Sequence, residues 1–466
     1  MQTFDLIVIG SGSGLEVSSD AANRGQSVAV IESGLFGGTC LNRGCIPSKM
    51  LIHSADVAET IRRAGLFGID AELRAIDWKF IIDRAANEVD GDARSIEQGN
   101  REHPNITVFK GTGRFVAHKR LEVDGEQLTA ETVVIAAGTR PRVPDIDGID
   151  AVTYLTSDEA LRLPSQPRRL AIVGGGYIAA ELAHFYGALG TEVTIVYRGP
   201  RLLRAEDDDI GAKFTEVYQR RFDLRLNTDV SSVRRAHESI AVQLSHRDGS
   251  GSGTIEADAL LLATGRVPNS DELAVERTGV RVDEQGFIEA DEYLETNVPG
   301  IWTLGDIAGR FQLKHSANLE AAYVGYNIQH PADKAAVDYH AMPHAIFASP
   351  QVGAVGLTEG EARARGLPYA VGVYEYANTA YGSSIEDKDG FVKVLVDPES
   401  EEILGCHILG TDASTLIQEV ANAMRIRATA RAITQSIYVH PALPEVVQRA
   451  FGAVEYPPDA HSEEAG

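Results

Sequence analysis

The sequence predicts an α/β protein in which two doubly wound parallel-sheet units, the second inserted after the first, precede an α+β domain. Three observations predict it. Residues 4–9, apolar apart from Asp5, end in Gly10-Ser11-Gly12-Ser13-Gly14, which reads as a continuous buried parallel strand entering a tight turn. The same outline returns at Arg169-Leu170-Ala171-Ile172-Val173-Gly174-Gly175-Gly176, and a repeated outline signals a repeated unit. From about Tyr339 the texture changes to alternating strands and then helices, the pattern of a separate α+β domain.

The elements follow in order. A helix runs from the first turn to about Arg24, and a strand over 27–31 ends at Glu32, closing one βαβ unit. One long helix is expected from the run at 37–49 through Ile61, on the spacing of Met50, Leu51, Ser54, Val57, Ala58 and Ile61. Residues 105–139 read as β-rich and finish on Val133-Val134-Ile135-Ala136-Ala137-Gly138-Thr139. Pro141, Pro144 and Gly148 then mark a boundary. The second unit continues with a strand over 192–197 and closes on Leu260-Leu261-Leu262-Ala263-Thr264-Gly265-Arg266, an echo of the earlier ending. Residues 301–309 return to an apolar strand and turn. Strands at 391–396 and 403–408 and helices at 416–426 and 429–435 fill the last domain, and the polar tail from Glu455 to Gly466 reads as disordered.

Composition narrows the function. A chain of 466 residues exceeds a single core, so two to four domains are expected. The net charge of −24 disfavours nucleic acid and anionic membranes as partners. No apolar run reaches the ~18 residues of a membrane span, and the first residues lack the basic region of a signal peptide. Three cysteines in so long a chain point to a reducing compartment, read as the cytoplasm.

The glycine turns carry nucleotide chemistry. Gly10 suits a tight bend, Gly12 lets a pyrophosphate approach the backbone, and Gly14 opens the helix whose N-terminus supplies amide donors. The third fingerprint position falls on Leu15, with Gly14 adjacent. Glu32 stands where a carboxylate would hold ribose hydroxyls. The second turn, with Gly174, Gly176 and Ala179, has the G-x-G-x-x-A form. Its acidic position is replaced by Arg198, with Arg204 beyond. Arginines bind a 2′-phosphate that a carboxylate would repel, so the second nucleotide reads as NADPH; the alternative is that both are solvated surface charges.

Two of the three cysteines, Cys40 and Cys45, lie in Gly37-Gly38-Thr39-Cys40-Leu41-Asn42-Arg43-Gly44-Cys45-Ile46-Pro47-Ser48-Lys49. Two nucleotide sites and one dithiol suggest electron flow in a line. A nicotinamide gives hydride to a flavin, the flavin opens a Cys40–Cys45 disulfide, and a thiolate attacks a substrate disulfide. A helix start near Lys49 should lower both thiol pKa values. A zinc site fits poorly, because the spacing is C-x4-C and no second pair exists. Cys406, in an apolar strand, reads as an inert core thiol. His440, in His440-Pro441-Ala442-Leu443-Pro444-Glu445, is the best acid–base candidate. The residue types alone leave open that it is only a structural histidine at a proline turn.

GGTCLNRGCIPSK at 37–49, GGGYIAAE at 174–181, TLGD at 303–306 and HPALPE at 440–445 occur in that order. On these motifs the chain resembles the pyridine nucleotide-disulfide oxidoreductases of the glutathione reductase and dihydrolipoamide dehydrogenase type, over about residues 4–452. The resemblance implies a glutathione reductase-like fold. Its domains would be an FAD-binding domain over 1–147, an NADPH-binding domain over 148–267, a central domain over 268–338 and an interface domain over 339–466. It implies Cys40 as the thiol that attacks substrate and Cys45 as the thiol against the flavin. Lys49 and Glu181 would form an ion pair near flavin N5, with Tyr177 as a gate over the nicotinamide. Thr39, Gly138 and Asp306 would complete the FAD contacts, and Gly265 those to NADPH. His440 and Glu445 would be an acid–base dyad completing the active site of the other subunit of a homodimer.

Within this family the segments 36–42, 55–62, 380–382 and 437–447 are similar to those of mycothione reductases. Reductases of bis-γ-glutamylcystine and NAD-linked dihydrolipoamide dehydrogenases stand as alternatives, Arg198 weighing against the last. The lack of a carboxy-terminal cysteine pair weighs against mercuric and large thioredoxin reductases. A flavin-binding sensor without turnover would need none of Cys40, Cys45, Lys49, His440 and Glu445.

Overall fold

A computed structural model of the protein describes residues 1–249 and 251–456. The first sheet is built from β1 (Gln2–Ile9), β2 (Val28–Glu32), β3 (Ile106–Lys110), β4 (Arg114–Ala117), β5 (Arg120–Val123) and β6 (Glu126–Ile135). Its order is β3-β2-β1-β6-β5-β4, with β1, β2, β3 and β6 mutually parallel. Leu6, Ile7, Val8 and Ile9 are all buried, as expected of a strand covered on both faces. Strand Ile301–Thr303 pairs in parallel with the end of β6 at Val133–Ile135. The chain thus returns to its first sheet after completing a second one.

That second sheet is fully parallel, in the order Asp223–Arg225, Glu192–Val196, Arg169–Val173, Ala259–Leu262. A three-stranded antiparallel meander spans Thr228–Ala236, Ser239–His246 and Ser252–Ala257. Two short strands, Thr139–Pro141 and Arg266–Pro268, pair antiparallel where the chain leaves and re-enters the first unit. The C-terminal part is a five-stranded antiparallel sheet, with helices Ala413–Arg425 and Pro444–Gly452 packed on it. The expected α/β architecture with an α+β C-terminal domain is therefore present. Among the described residues no helix is long and apolar enough to cross a membrane.

Four helices frame the first sheet: α1 (Gly14–Asn23), α2 (Gly38–Arg43), α3 (Cys45–Arg63) and α4 (Trp78–Glu102). The single helix expected from the cysteine motif through Ile61 is in fact α2 and α3. Gly44 separates them with φ −140° and ψ −118°, outside helical geometry. Helix α4 was not expected. Its Asp77 side chain accepts a hydrogen bond from Phe80 N at 2.9 Å, an N-cap, and Trp78, Ile82, Ala85, Val89 and Ala93 bury one face. The tail expectation lies outside the described residues from 457 onward.

Helix α3 packs against helix Tyr177–Ala188 of the second unit. Leu51, Ile52, Ala55 and Ala58 meet Ala179, Ala180, Leu182 and Ala183 in one buried cluster. Alanines on both sides bring the two backbones close, which fixes the groups they carry.

Candidate active site

The first glycine turn and the cysteine motif touch backbone to backbone. A Cβ on Gly38, whose φ is +69°, would sit 2.7 Å from Gly12 Cα, so only glycine at position 38 allows this approach. Gly37 N donates to Ser11 O at 3.1 Å. Glu32, at the end of β2, accepts from Ser11 N at 2.9 Å and Ser11 Oγ at 2.7 Å, and from Gly34 N at 2.6 Å. The carboxylate thereby holds the turn in shape. Thr39 and Cys40 follow Gly38 within α2, directly beside it.

Helices α1 and Tyr177–Ala188 both begin at glycine turns without a side-chain cap. No side chain therefore competes with an anion at these helix starts. Added Cβ atoms on Gly138, Gly176 and Gly265 would meet nothing within 4 Å, so there is open space at the second turn and at the junction of the two units. Uncapped helix starts at both turns fit dinucleotides. Near the second, Gly174 packs against Ala263 O, where a Cβ would approach to 2.2 Å, and Ala179 is buried. Leu203 N donates to Gly175 O at 2.8 Å, tying the loop of Arg198 and Arg204 to that turn. Both arginines are exposed. Among the described residues neither has an ion-pair or hydrogen-bond partner, whereas Arg201 between them pairs with Asp208.

Gly138-Thr139, Gly265-Arg266 and Asp306 converge where the two units meet. Asp306 accepts from Thr139 Oγ1 at 2.9 Å. Arg266 donates to Thr139 Oγ1 and Thr139 O, each at 2.7 Å. Burial pushes the Asp306 carboxyl above its usual range, against the pull of Thr139 and Arg266.

Cys40, half-buried, and Cys45, exposed, are free thiols joined by a hydrogen bond. Cys45 is the first residue of α3, whereas Cys40 lies inside α2. Their proton affinities split through the hydrogen bond between them, where the sequence led to an expectation of lowering for both. The Cys45 thiol is lowered to about 7, first by the Cys40 S–H it accepts and then by the Lys49 ammonium, against burial and Glu181. Cys40 is pushed up, first by giving that hydrogen bond and then by burial. The proton of the pair stays on Cys40.

Lys49 Nζ donates to both Glu181 oxygens, at 2.9 and 2.7 Å. Glu181 Oε1 also accepts from Phe347 N at 2.9 Å, and the ammonium lies 4.5 Å from the Phe347 ring centroid. Three distant segments thus meet at one ion pair. Tyr177 stands one turn before Glu181 on the same helix face and is 45 % exposed.

His440 Nδ1 lies 2.9 Å from Glu445 Oε1, and Glu445 Oε2 accepts from Ala442 N at 3.1 Å. The imidazole holds the Glu445 carboxyl below its usual range. The dyad lies on the surface of the C-terminal domain, the His440 side chain 70 % exposed. The groups acting on the dithiol are the two thiols themselves, Lys49, Glu181 and Lys314; His440 is not among them within one chain. Sequence reasoning missed Phe347, Lys314 and Arg266, because each enters from another segment and no local spacing announces it.

Residues 4–321 match the family described as pyridine nucleotide-disulphide oxidoreductase, and residues 342–451 match its dimerisation domain. The chain is 42 % identical over 462 residues to mycothione reductase from Mycobacterium tuberculosis, covering 97 % of this chain and 99 % of that one. It is 34 % identical over 454 residues to glutathione reductase from Burkholderia cepacia, covering 95 % and 97 %. To dihydrolipoyl dehydrogenase from Cupriavidus necator it is 33 % identical over 470 residues, covering 97 % and 98 %. Among solved structures, the HOCl-induced flavoprotein disulfide reductase RclA from Escherichia coli superposes with a TM-score of 0.85 at 28 % identity, covering 98 % of this chain and all of that one.

Proposed function

The chain belongs to the pyridine nucleotide-disulphide oxidoreductase family, and on that premise we propose that it uses NADPH to reduce a low-molecular-weight disulfide, mycothione. It is an NAD(P)H-dependent flavoprotein oxidoreductase with FAD as its flavin, and it carries the family's dimerisation domain. The observation that carries the disulfide chemistry is the free Cys40 and Cys45 placed together at the junction of α2 and α3, with Lys49 of α3 paired to Glu181 beside them. Mycothione is favoured by the 42 % identity to the mycobacterial enzyme of that name. Unpartnered Arg198 and Arg204 support NADPH over NADH. Three cysteines in 466 residues fit a reducing compartment, and we place the enzyme in the cytoplasm.

We assign domains at 1–147, 148–267, 268–338 and 339–466. Gly10, Gly12, Gly14, Glu32, Thr39, Lys49, Gly138 and Asp306 would hold FAD. Gly174, Gly176, Tyr177, Ala179, Arg198, Arg204 and Gly265 would hold NADPH. When bound, FAD supplies the two-electron step between the nicotinamide and the cysteine pair.

In the proposed cycle, Cys40 gives its proton to His440 of the partner subunit, and its thiolate attacks one substrate sulfur. The substrate S–S bond breaks, and the departing sulfur takes the proton back from the imidazolium. The Cys45 thiolate then attacks the Cys40 sulfur, and the second substrate thiolate leaves and takes a proton from solvent. The substrate ends as two thiols, and Cys40–Cys45 ends as a disulfide that two further electrons reopen. Glu445 fixes the imidazole so that Nε2 faces the thiol. Exposed Ile437 at 101 %, Val439 at 77 % and Ile426 at 79 % support a second copy covering this region.

Turnover of mycothione, bis-γ-glutamylcystine, glutathione disulfide and lipoamide with NADPH and with NADH tests the reading. Oxidation of NADPH fastest with mycothione is expected. Activity confined to dihydrolipoamide and NAD⁺ would replace it with a dihydrolipoamide dehydrogenase, and no disulfide-dependent oxidation at all would end it.

A further inference from the structure

Lys314 is the first residue of helix Lys314–Gln329. Its ammonium reaches back to the first glycine turn, donating to Ser13 Oγ at 2.7 Å and to Asn318 Oδ1. Ser13 Oγ in turn donates to Asn318 Oδ1 at 2.8 Å. Ser13 is buried, and Lys314 is half-buried. Both partners of Lys314 are neutral: among the described residues no carboxylate lies within ion-pair distance of it. In a chain of net charge −24, Lys49 and Lys393 are by contrast matched to acidic groups. A partly desolvated ammonium without a counter-charge is costly unless something anionic completes the site.

The position identifies that anion. Ser13 lies in the fingerprint turn, at the uncapped start of α1, where a dinucleotide places its diphosphate. Thr39 and Cys40 lie beside the same turn, and the Lys314 ammonium, bonded to that turn, is within electrostatic reach of the Cys40 thiol. We propose that Lys314 is a cofactor-binding residue whose ammonium neutralises the FAD diphosphate, held for that purpose by Ser13 and Asn318. The assignment rests on the FAD reading of the first turn. Uncapped amides alone offer partial charges, whereas the lysine adds a full positive charge, and charge-assisted hydrogen bonds are the stronger kind.

Serial dilution of the holoenzyme, following the fluorescence of released FAD, tests this in the wild type, Lys314→Met and Lys314→Arg. Wild-type release should increase with salt. Lys314→Met should bind FAD about tenfold or more weaker, with a flatter salt dependence. Lys314→Arg should recover most of the affinity, because it restores charge. Circular dichroism separates loss of FAD from loss of fold; should Lys314→Met not fold, salt-independent release from the wild type would itself overturn the proposal. Equal FAD affinity in Lys314→Met, or equal loss in both variants, would also overturn it. A wild-type protein that never holds FAD would instead remove the reading on which it rests.

Discussion

At the residue scale the chemistry depends on one shared proton. Cys45 and Cys40 differ only in placement, one opening α3 beside Lys49 and the other inside α2. The pair should release its first proton near pH 7, where Cys45 is set. The rate of iodoacetamide alkylation of the reduced dithiol should therefore rise with pH through a midpoint near 7, because the thiolate is the nucleophile. Lys49→Met removes a positive charge that favours the thiolate and leaves Glu181 uncompensated. Both effects raise the thiol pKa, so the midpoint should move up by roughly one pH unit; an unchanged midpoint would show that Lys49 does not set it. The cysteines and their spacing were legible in the sequence. The split was not, because it arises from the hydrogen bond between the two thiols and the nearby Lys49 ammonium, contacts that only the folded backbone, broken at Gly44, brings about.

At the element scale the active region is held by α3 against helix Tyr177–Ala188. Small residues let these helices approach, and Lys49–Glu181 bridges them at the end nearest the dithiol. Deeper along the same contact, buried His184 lies 2.7 Å from Asp56 Oδ1, and Arg221 joins Glu59 to the C-terminal segment at Ser349 O. Three of the nearby His and acidic groups could suggest a metal, but the Arg221 guanidinium, bonded to Glu59 and 3.3 Å from His184 Nδ1, already places a cation there. Ile52 is 4 % exposed in this contact. Ile52→Ala should cost about 2–5 kcal/mol by urea unfolding, the range for buried aliphatic truncation. A loss under about 1 kcal/mol would mean the interface is not packed as described. Strands β1 and β2 and both glycine turns were readable because continuous apolar runs and glycine clusters have few other uses. Helix α4 was not, because its apolar stripe is diluted by charged residues and no motif draws attention to it.

At the scale of the whole molecule, the dithiol and the His440–Glu445 dyad belong to opposite ends of the chain, and the account requires a second copy to unite them. Mixing tests this. Cys40→Ser and His440→Gln homodimers should each be nearly inactive. Hybrids of the two contain one site with both groups intact, so dissociating and reassociating an equal mixture should restore about a quarter of wild-type turnover, the fraction random pairing in a twofold dimer allows. No recovery in proven hybrids would place the acid–base group elsewhere. The sequence announced the dyad as a motif, but one chain's pattern cannot show which subunit a surface histidine serves.

The relay from nicotinamide to dithiol is tested most directly by counting thiols. Holoenzyme is treated with NADPH without oxygen, alkylated and mapped by mass spectrometry, with and without mycothione. The account predicts that labelling of Cys40 and Cys45 rises on NADPH addition and falls again when mycothione is added, while buried Cys406 stays unlabelled throughout. Bleaching of the flavin by NADPH with no change at Cys40 and Cys45 would contradict it.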